Sequence, residues 1–424
     1  MLLAFCFAVP IHAATYYVDN SGSPVCNNSP GNGSEAAPWC TIVYGISQIK
    51  GGDTLNVKAG TYTDYLDITG PAGSTGAPTL IQTYQGATVT IPGAGVDHGR
   101  VKIENTSYVT FAGFTVTNWN QGIFVENSDH ITISKCTVYN IGQEGIHVHL
   151  GSSFVTIDGC AVHATGVWKY DGEGIYIGTG DSAPVDNTNN VTVHNCTIYD
   201  VTDEAIELKI GTHDITLDGN TIYNANTADN GYGGAAIEVN QASGAVQHWD
   251  NNPNHIIRNN FIHDVGPGTG GAGLNSAIRA GTGGTYYNNV IWGINSSGDG
   301  ILADNQSQDS YTRVIYHNTV DVASTRAVVV SSATADIQNN IGPTTGSNNL
   351  ATSNAYYVNE SGHDYHLVAG SAPINMGADL TKVVPIDIDG TSRVVNAPPD
   401  LGAYEYGNGG SPPDPPTNLT AIVQ

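Results

Sequence analysis

The stretch Ile133–Asn140, ISKCTVYN, is echoed seven times down the chain. The echoes are IDGCAVHA (157–164), VHNCTIYD (193–200), LDGNTIYN (217–224), IRNNFIHD (257–264), YYNNVIWG (286–293), IYHNTVDV (315–322) and IQNNIGPT (337–344). Stacked, they place Cys136, Cys160, Cys196, Asn220, Asn260, Asn289, Asn318 and Asn340 in one column that recurs every 22 to 40 residues. Solenoid repeats fall in that range. Each unit also holds a second strand: GIFVE, GIHVH, GIYIG, AIELK, AIEVN, AIRAG, GILAD and AVVVS. Alternation puts Ile123, Ile146, Ile175, Ile206, Ile237, Ile278, Ile301 and Val328 on one face and polar residues on the other.

With no helical period between these strands, the pattern predicts an all-β solenoid, a right-handed parallel β-helix. A buried Asn column suits it, because stacked amides at a turn bond from coil to coil while satisfying backbone groups. Cys136, Cys160 and Cys196 read as the same ladder in apolar form. Their spacings of 24 and 36 follow the coil rather than a metal-binding pattern.

Composition agrees. Charged residues are 12% of the 424, with 52 Gly and 19 Pro, which leaves little room for long surface helices. A net charge of −25 excludes a nucleic-acid binder that works by phosphate neutralisation. It also means that an acidic polymer could approach only with cations between. No later window is apolar for long enough to span a membrane.

The opening MLLAFCFAVPIHAA reads as a secretory signal over residues 1–14 that lacks the usual basic start, so the chain is expected to be exported. In that compartment Cys26 and Cys40, flanking a Gly-, Asn- and Pro-rich loop, would staple it; two free thiols are the other reading. Residues 15–406 are expected to form the β-helix with its caps, and GNGGSPPDPP, within 407–424, a linker.

Two segments carry a resemblance. Tyr16–Tyr62, with PWCTI, GDTL and GTY, resembles the entry segment of secreted bacterial β-helix proteins related to polysaccharide lyases, and Asp387–Tyr406 is similar to their closing segment. The final PTNLTAIVQ resembles the first strand of a fibronectin type III module. Because this fold also hosts adhesins, activity does not follow from it.

Function is read from the outward side of the second strand. Three columns result: Gln121, Glu144, Glu173, Glu204, Ala235, Ser276, Asp299; then Phe124, His147, Tyr176, Glu207, Glu238, Arg279, Leu302; then Glu126, His149, Gly178, Lys209, Asn240, Asp304. DEAIELK, Asp203–Lys209, is the densest part. Asp203, Glu204 and Glu207, with Asp171 or Glu173 from the coil before, would gather the oxygens a hard cation such as Ca²⁺ requires.

The DEAIE spacing resembles the calcium motif of pectate lyases of polysaccharide lyase family nine, which also draws an Asp from the preceding coil. That family's lysine base would fall near Asn240, so the likeness stops there. The chondroitinase B and β-helix alginate lyase family places a lysine on the same strand as a calcium-binding Glu, an interval that Glu204 and Lys209 match. Its arginine would again fall at Asn240, with Arg279 one coil beyond.

β-Elimination from a uronate needs its carboxylate neutralised and a base near C5. Lys209 is the candidate base, its pKa lowered beside a cation. Arg279 is placed as a carboxylate clamp. His147 is placed as a proton donor, and His149, Tyr176, Asn240 and Glu173 as substrate contacts. Glu207 with Glu238, on adjacent coils, would instead serve a retaining glycoside hydrolase. A non-catalytic glycan-binding or adhesion module is the third reading. Tyr139, His163, Tyr199, Tyr223, His263 and Trp292 form a further column, either a glycan-stacking flank or a cover for the turn. The expectation is a secreted, monomeric, Ca²⁺-dependent lyase of an acidic polysaccharide, with no nucleic-acid partner.

Overall fold

The residue before each ladder position turns the chain through the left-handed region: φ is 53° at Lys135, 52° at Asn195, 56° at Asn259, 53° at Asn288 and 59° at Asn339. Asn tolerates that conformation because its side chain bonds locally, and at 159 and 219 the chain uses Gly. Several residues in each coil, these among them, take that conformation and redirect the backbone, so short strands can recur on three sides of a spiral.

The computed structural model describes residues 13–407 apart from 96–98, 169–171, 181–184, 228–233, 240–252, 267–274, 296–297, 306–308, 344 and 394–397. Three long sheets result. A twelve-stranded sheet runs from Thr15–Val18 to Ala335–Gln338, a ten-stranded sheet from Asp67–Ile68 to Val328–Ser331, and another ten-stranded sheet from Gly60–Thr61 to Thr319–Asp321. Neighbours within each are parallel, and one coil visits all three in turn. This is the predicted right-handed parallel β-helix.

Inward-facing Ile and Val from all three sheets form one continuous core, among them Val125, Ile133, Val138, Ile146, Ile175 and Ile206 at 0% exposure. Cys136, Cys160 and Cys196 are buried in it as free thiols. From Cys196 onward the ladder turns polar. Asn220 Nδ2 and its backbone N–H both donate to Asn260 Oδ1 (3.0 and 3.1 Å), and the pattern repeats from Asn260 to Asn289, to Asn318 and to Asn340. A last rung, Asn349, closes the column from outside the repeats.

Both ends of the core are covered. At the start, the helix Ile42–Gln48, capped by the Thr41 side chain, buries Ile42, Gly45 and Ile46, and the Cys26–Cys40 disulfide closes the preceding loop. At the other end, an antiparallel hairpin of Tyr357–Asn359 with Asp364–Leu367 and a segment centred on the buried Arg393 pack over the last coils.

Candidate functional site

The middle sheet carries the candidate residues. Its register pairs Phe124 with His147, His147 with Tyr176, Tyr176 with Glu207, Glu207 with Glu238, Glu238 with Arg279 and Arg279 with Leu302. Their neighbours Ile146, Ile175, Ile206 and Ile237 fill the core, so this column points away from it. Outward does not mean solvated here. Glu207 is 1% and Glu238 0% exposed, and His147 and Tyr176 are also buried, so the column forms a packed floor covered by other parts of the chain.

At the edge of that floor, Glu173, Asp203 and Glu204 bring one carboxylate oxygen each to within 4.8 Å of one another, all three residues buried. Neighbouring coils force the approach: the Gly145 N–H donates to Glu173 O and the Gly174 N–H to Glu204 O, fixing successive turns one above the other. Gly234 completes the enclosure. A Cβ there would stand 1.8 Å from Glu204 Oε1 and 2.2 Å from Glu238 Oε2, so only glycine lets backbone lie against both carboxylates.

The electrostatics follow. Burial, then repulsion from Glu207, Glu144 and Asp203, pushes the Glu173 carboxyl well above its usual range. Burial, then Glu207, Asp203 and Glu238, does the same to Glu204. Glu207 is pushed up to about 7, burial outweighing the attraction of Lys209. Glu173 Oε2 and Glu207 Oε2 are buried with no hydrogen-bond partner among the described residues. Oxygen donors crowded together and bare of donor hydrogens match what a hard divalent cation binds, so the residues fit such an ion.

Of the two acids that the coil before could supply, Glu173, also placed as a substrate contact, joins the carboxylate cluster, while Glu207 is ion-paired to Lys209. Asp171, the fourth proposed ligand, and Asn240 lie outside the described residues.

Burial alone would lower the Lys209 pKa, but Glu207, Glu204 and Glu173 outweigh burial and raise it, and its Nζ stands 5.3 Å from the Tyr176 ring centre. That is the amine with its carboxylate neighbours alone; the expectation of a lowered pKa concerns an amine beside a bound cation. Arg279 is also committed: it donates to Glu238 Oε1 (3.0 Å) and, through Nε, to Asp304 Oδ2 (2.8 Å), so it holds a strand-to-strand bridge rather than an open clamp. That bridge, with the Ala235 N–H at 3.3 Å, occupies Glu238 and disfavours its use as half of a hydrolase pair.

His147 and His149 stack at 4.1 Å between ring centres, with Phe124 and Tyr176 edge-on to His147. The Gly178 carbonyl 2.7 Å from His147 Nε2 requires the proton on that nitrogen and leaves Nδ1 bare. Burial holds His147 well below the usual imidazole range, so it is neutral. Its place is inside the packed floor, where it holds the Tyr176 ring instead of meeting solvent. His149 faces Glu126, Nε2 to Oε1 3.1 Å.

Two cations went unread in the sequence. Arg100 and Lys102 reach both oxygens of Glu126, at 2.9 Å each, and Arg100 lies over the Phe124 ring. RVKIEN at 100–105 aligns with GIFVEN at 122–127, and that echo is the signal that would have found them. From Arg100 a polar strip runs on, Nη1 to Gln121 Oε1 (2.8 Å) and Gln121 Nε2 to Glu144 Oε2 (3.1 Å), towards the acid cluster.

The aromatic column on the neighbouring flank is continuous from Tyr139 to Trp292, with ring centres 4.5–5.2 Å apart and planes within 10°, and His363 stacks on its end. Each ring spends its faces on the next, leaving edges outward. The column therefore covers a turn and offers no stacking platform.

Residues 99–252 match the family model described as right handed beta helix region. Over 157 residues the chain is 25% identical to pectate lyase PEL9 of Emericella nidulans; the match covers 33% of this chain and 37% of that enzyme's length. The crystal structure of pectate lyase Pel9A superposes with a TM-score of 0.65 at 19% identity, over 94% of this chain and 98% of that one. An alginate lyase from Paenibacillus sp. str. FPU-7 gives 0.55 at 17% identity, over 80% and 98%. The chain is thus a right-handed parallel β-helix that resembles polysaccharide lyases.

Proposed function

We propose that this protein is an exported, Ca²⁺-dependent lyase that cleaves an acidic, uronate-containing polysaccharide by β-elimination. The observation that carries the reading is the buried cluster of Glu173, Asp203 and Glu204 beside Glu207 and Lys209, whose oxygens are crowded, with the Glu173 and Glu204 carboxyls pushed up in pKa and Glu173 Oε2 without a hydrogen-bond partner among the described residues. In its ionised form such a group repels itself unless a cation occupies it. The likeness to pectate and alginate lyases supports the choice of reaction.

Glu173, Asp203 and Glu204 would hold the ion. Bound calcium supplies the positive charge that neutralises a uronate carboxylate and so makes the C5 proton removable. The remaining work belongs to the chain. Lys209 is the amine available to accept that proton, and its counter-charge Glu207 decides whether it arrives protonated. Burial pulls the Lys209 pKa down and the neighbouring carboxylates pull it up, so a cation that draws those carboxylates to itself would favour the base form. Tyr176, edge-on to His147, walls the amine from one side.

The test is incubation with pectate, alginate and glycosaminoglycans, following the ultraviolet absorbance of unsaturated product. Product should form with Ca²⁺ and vanish with chelator. No product from any uronate polymer removes the reading. Independently, Ca²⁺ at a hundred times its Kd should stabilise the fold by about 2.7 kcal/mol, seen as a rise in Tm.

A further inference from the structure

A cavity of about 620 Å³ opens at the corner between the two ten-stranded sheets, in the first coils of the spiral. Its walls include Tyr65, Trp119, Pro92, Gly93 and Gly99. Trp119 is buried and fixed by its Nε1–H donating to Ile91 O at 3.1 Å. Tyr65 meets it edge-on at 5.9 Å yet remains 53% exposed, so a tyrosine ring stands open beside the cavity. Glycine keeps the space clear. A Cβ on Gly99 would come within 2.7 Å of the Tyr65 ring and 2.8 Å of the Trp119 ring, and one on Gly93 within 2.7 Å of Trp119.

Position makes this cavity informative. It lies at the same turn of the coil as Glu173 and Glu204, three to four coils earlier. At ~4.8 Å per coil that is roughly 14–19 Å, the length of a few sugar rings. The strip Arg100–Gln121–Glu144 bridges the interval with hydrogen-bonding groups. An aromatic wall suits the apolar C–H face of a pyranose ring, which packs against the electron-rich face of an arene, and the volume is of ligand-site size.

We propose that this cavity is a distal sugar subsite, taking one ring of the same acidic glycan chain that reaches the carboxylate cluster. The proposal rests on the carbohydrate reading above and deepens it. A chain seated at both places spans the acid cluster with several rings on one side, so the protein selects long substrates over short ones.

The experiment measures binding by calorimetry, with Ca²⁺ present, of galacturonate and alginate oligomers, di- and trimers against hexa- and octamers. It compares wild type, Tyr65→Ala and Tyr65→Phe. Because Tyr65 is exposed, neither variant threatens folding. Tyr65→Ala should weaken the long oligomers about fivefold to tenfold and leave the short ones unchanged, with Tyr65→Phe close to wild type. Long oligomers that bind wild type and Tyr65→Ala equally, or a loss shared by short and long alike, overturn the subsite and leave the lyase reading standing. Length-dependent binding that Tyr65→Ala weakens, without unsaturated product from any polymer, sustains the subsite and removes the lyase. Failure of every oligomer to bind wild type overturns the subsite, and the lyase reading falls with it only if no uronate polymer yields unsaturated product.

Discussion

Lys209 sits where a positive charge does two things that pull against each other. It compensates Glu207, which is 1% exposed, and in the proposed reaction it is the amine that takes a proton. Lys209→Arg separates these roles, because arginine keeps the ion pair but cannot give up its proton near neutral pH. That variant should melt within a few degrees of wild type while losing at least about a hundredfold in turnover. Lys209→Met removes the charge and leaves Glu207 buried alone, which should cost about 3 kcal/mol at pH 8. The sign with pH is fixed. Glu207, already held near 7 with its partner present, rises further without it, so the folded variant must bind a proton that the unfolded chain releases above its ordinary value of 4.5. The penalty should shrink as pH falls from 8 towards 4.5. The double variant Glu207→Gln/Lys209→Met should regain most of the loss at pH 8. Denaturant titrations at the two pH values measure all three.

The ladder and the strand columns were readable because a coil repeats its chemistry at the same point of each turn. Ile at 123, 146, 175 and 206, with Cys or Asn at 136, 160, 196 and 220, align in the sequence as they do in the sheets. What resisted reading came from outside the repeat. Asn349 completes the Asn ladder nine positions after Asn340, and His363 ends the ring stack from the closing hairpin, so no period points to either. Burial of the outward column resisted too, since alternation says which way a side chain points and not what covers it. The partners of Arg279 were hidden for the same reason, being a choice among several neighbouring acids. The ladder itself makes a sharp prediction. Asn289 Oδ1 accepts from both N–H groups that Asn260 offers, and its Nδ2 donates to Ile257 O and Asn318 Oδ1. Asn289→Ala leaves these groups buried and bare, and should destabilise by about 2–4 kcal/mol. Asn349→Ala, at a partly exposed rung, should cost less than half of that. Chemical unfolding at equal m-value checks the ranking.

A spiral of parallel strands has two open ends, and the closing segment explains why its sequence is so rich in acids. Asp387 accepts from the backbone N–H groups of Asp389, Thr391 and Glu405, Asp400 from Asn375 and Tyr406, and the buried Arg393 from this segment donates to Glu405, to Asn288 of the coil and to two backbone carbonyls. These acids are structural. His366 joins them from the hairpin: Nδ1 faces Asp364, Nε2 lies 2.8 Å from Asp389, and Tyr404 packs on its ring. Hydrogen bonding to Asp389, then to Asp364, pushes its pKa up to about 9 against the opposing effect of burial. The imidazolium is thus tighter bound in the folded protein than in the unfolded chain. Its stabilisation is fully present below 6.5 and is lost as pH rises through 9. With His366→Gln, the fall in Tm between pH 6.5 and 9.5 should be shallower than in wild type, and the two should converge at the alkaline end. A variant whose Tm tracks wild type in parallel across that range would show that His366 carries no charge in the cap, and that the aspartates alone close this end of the spiral.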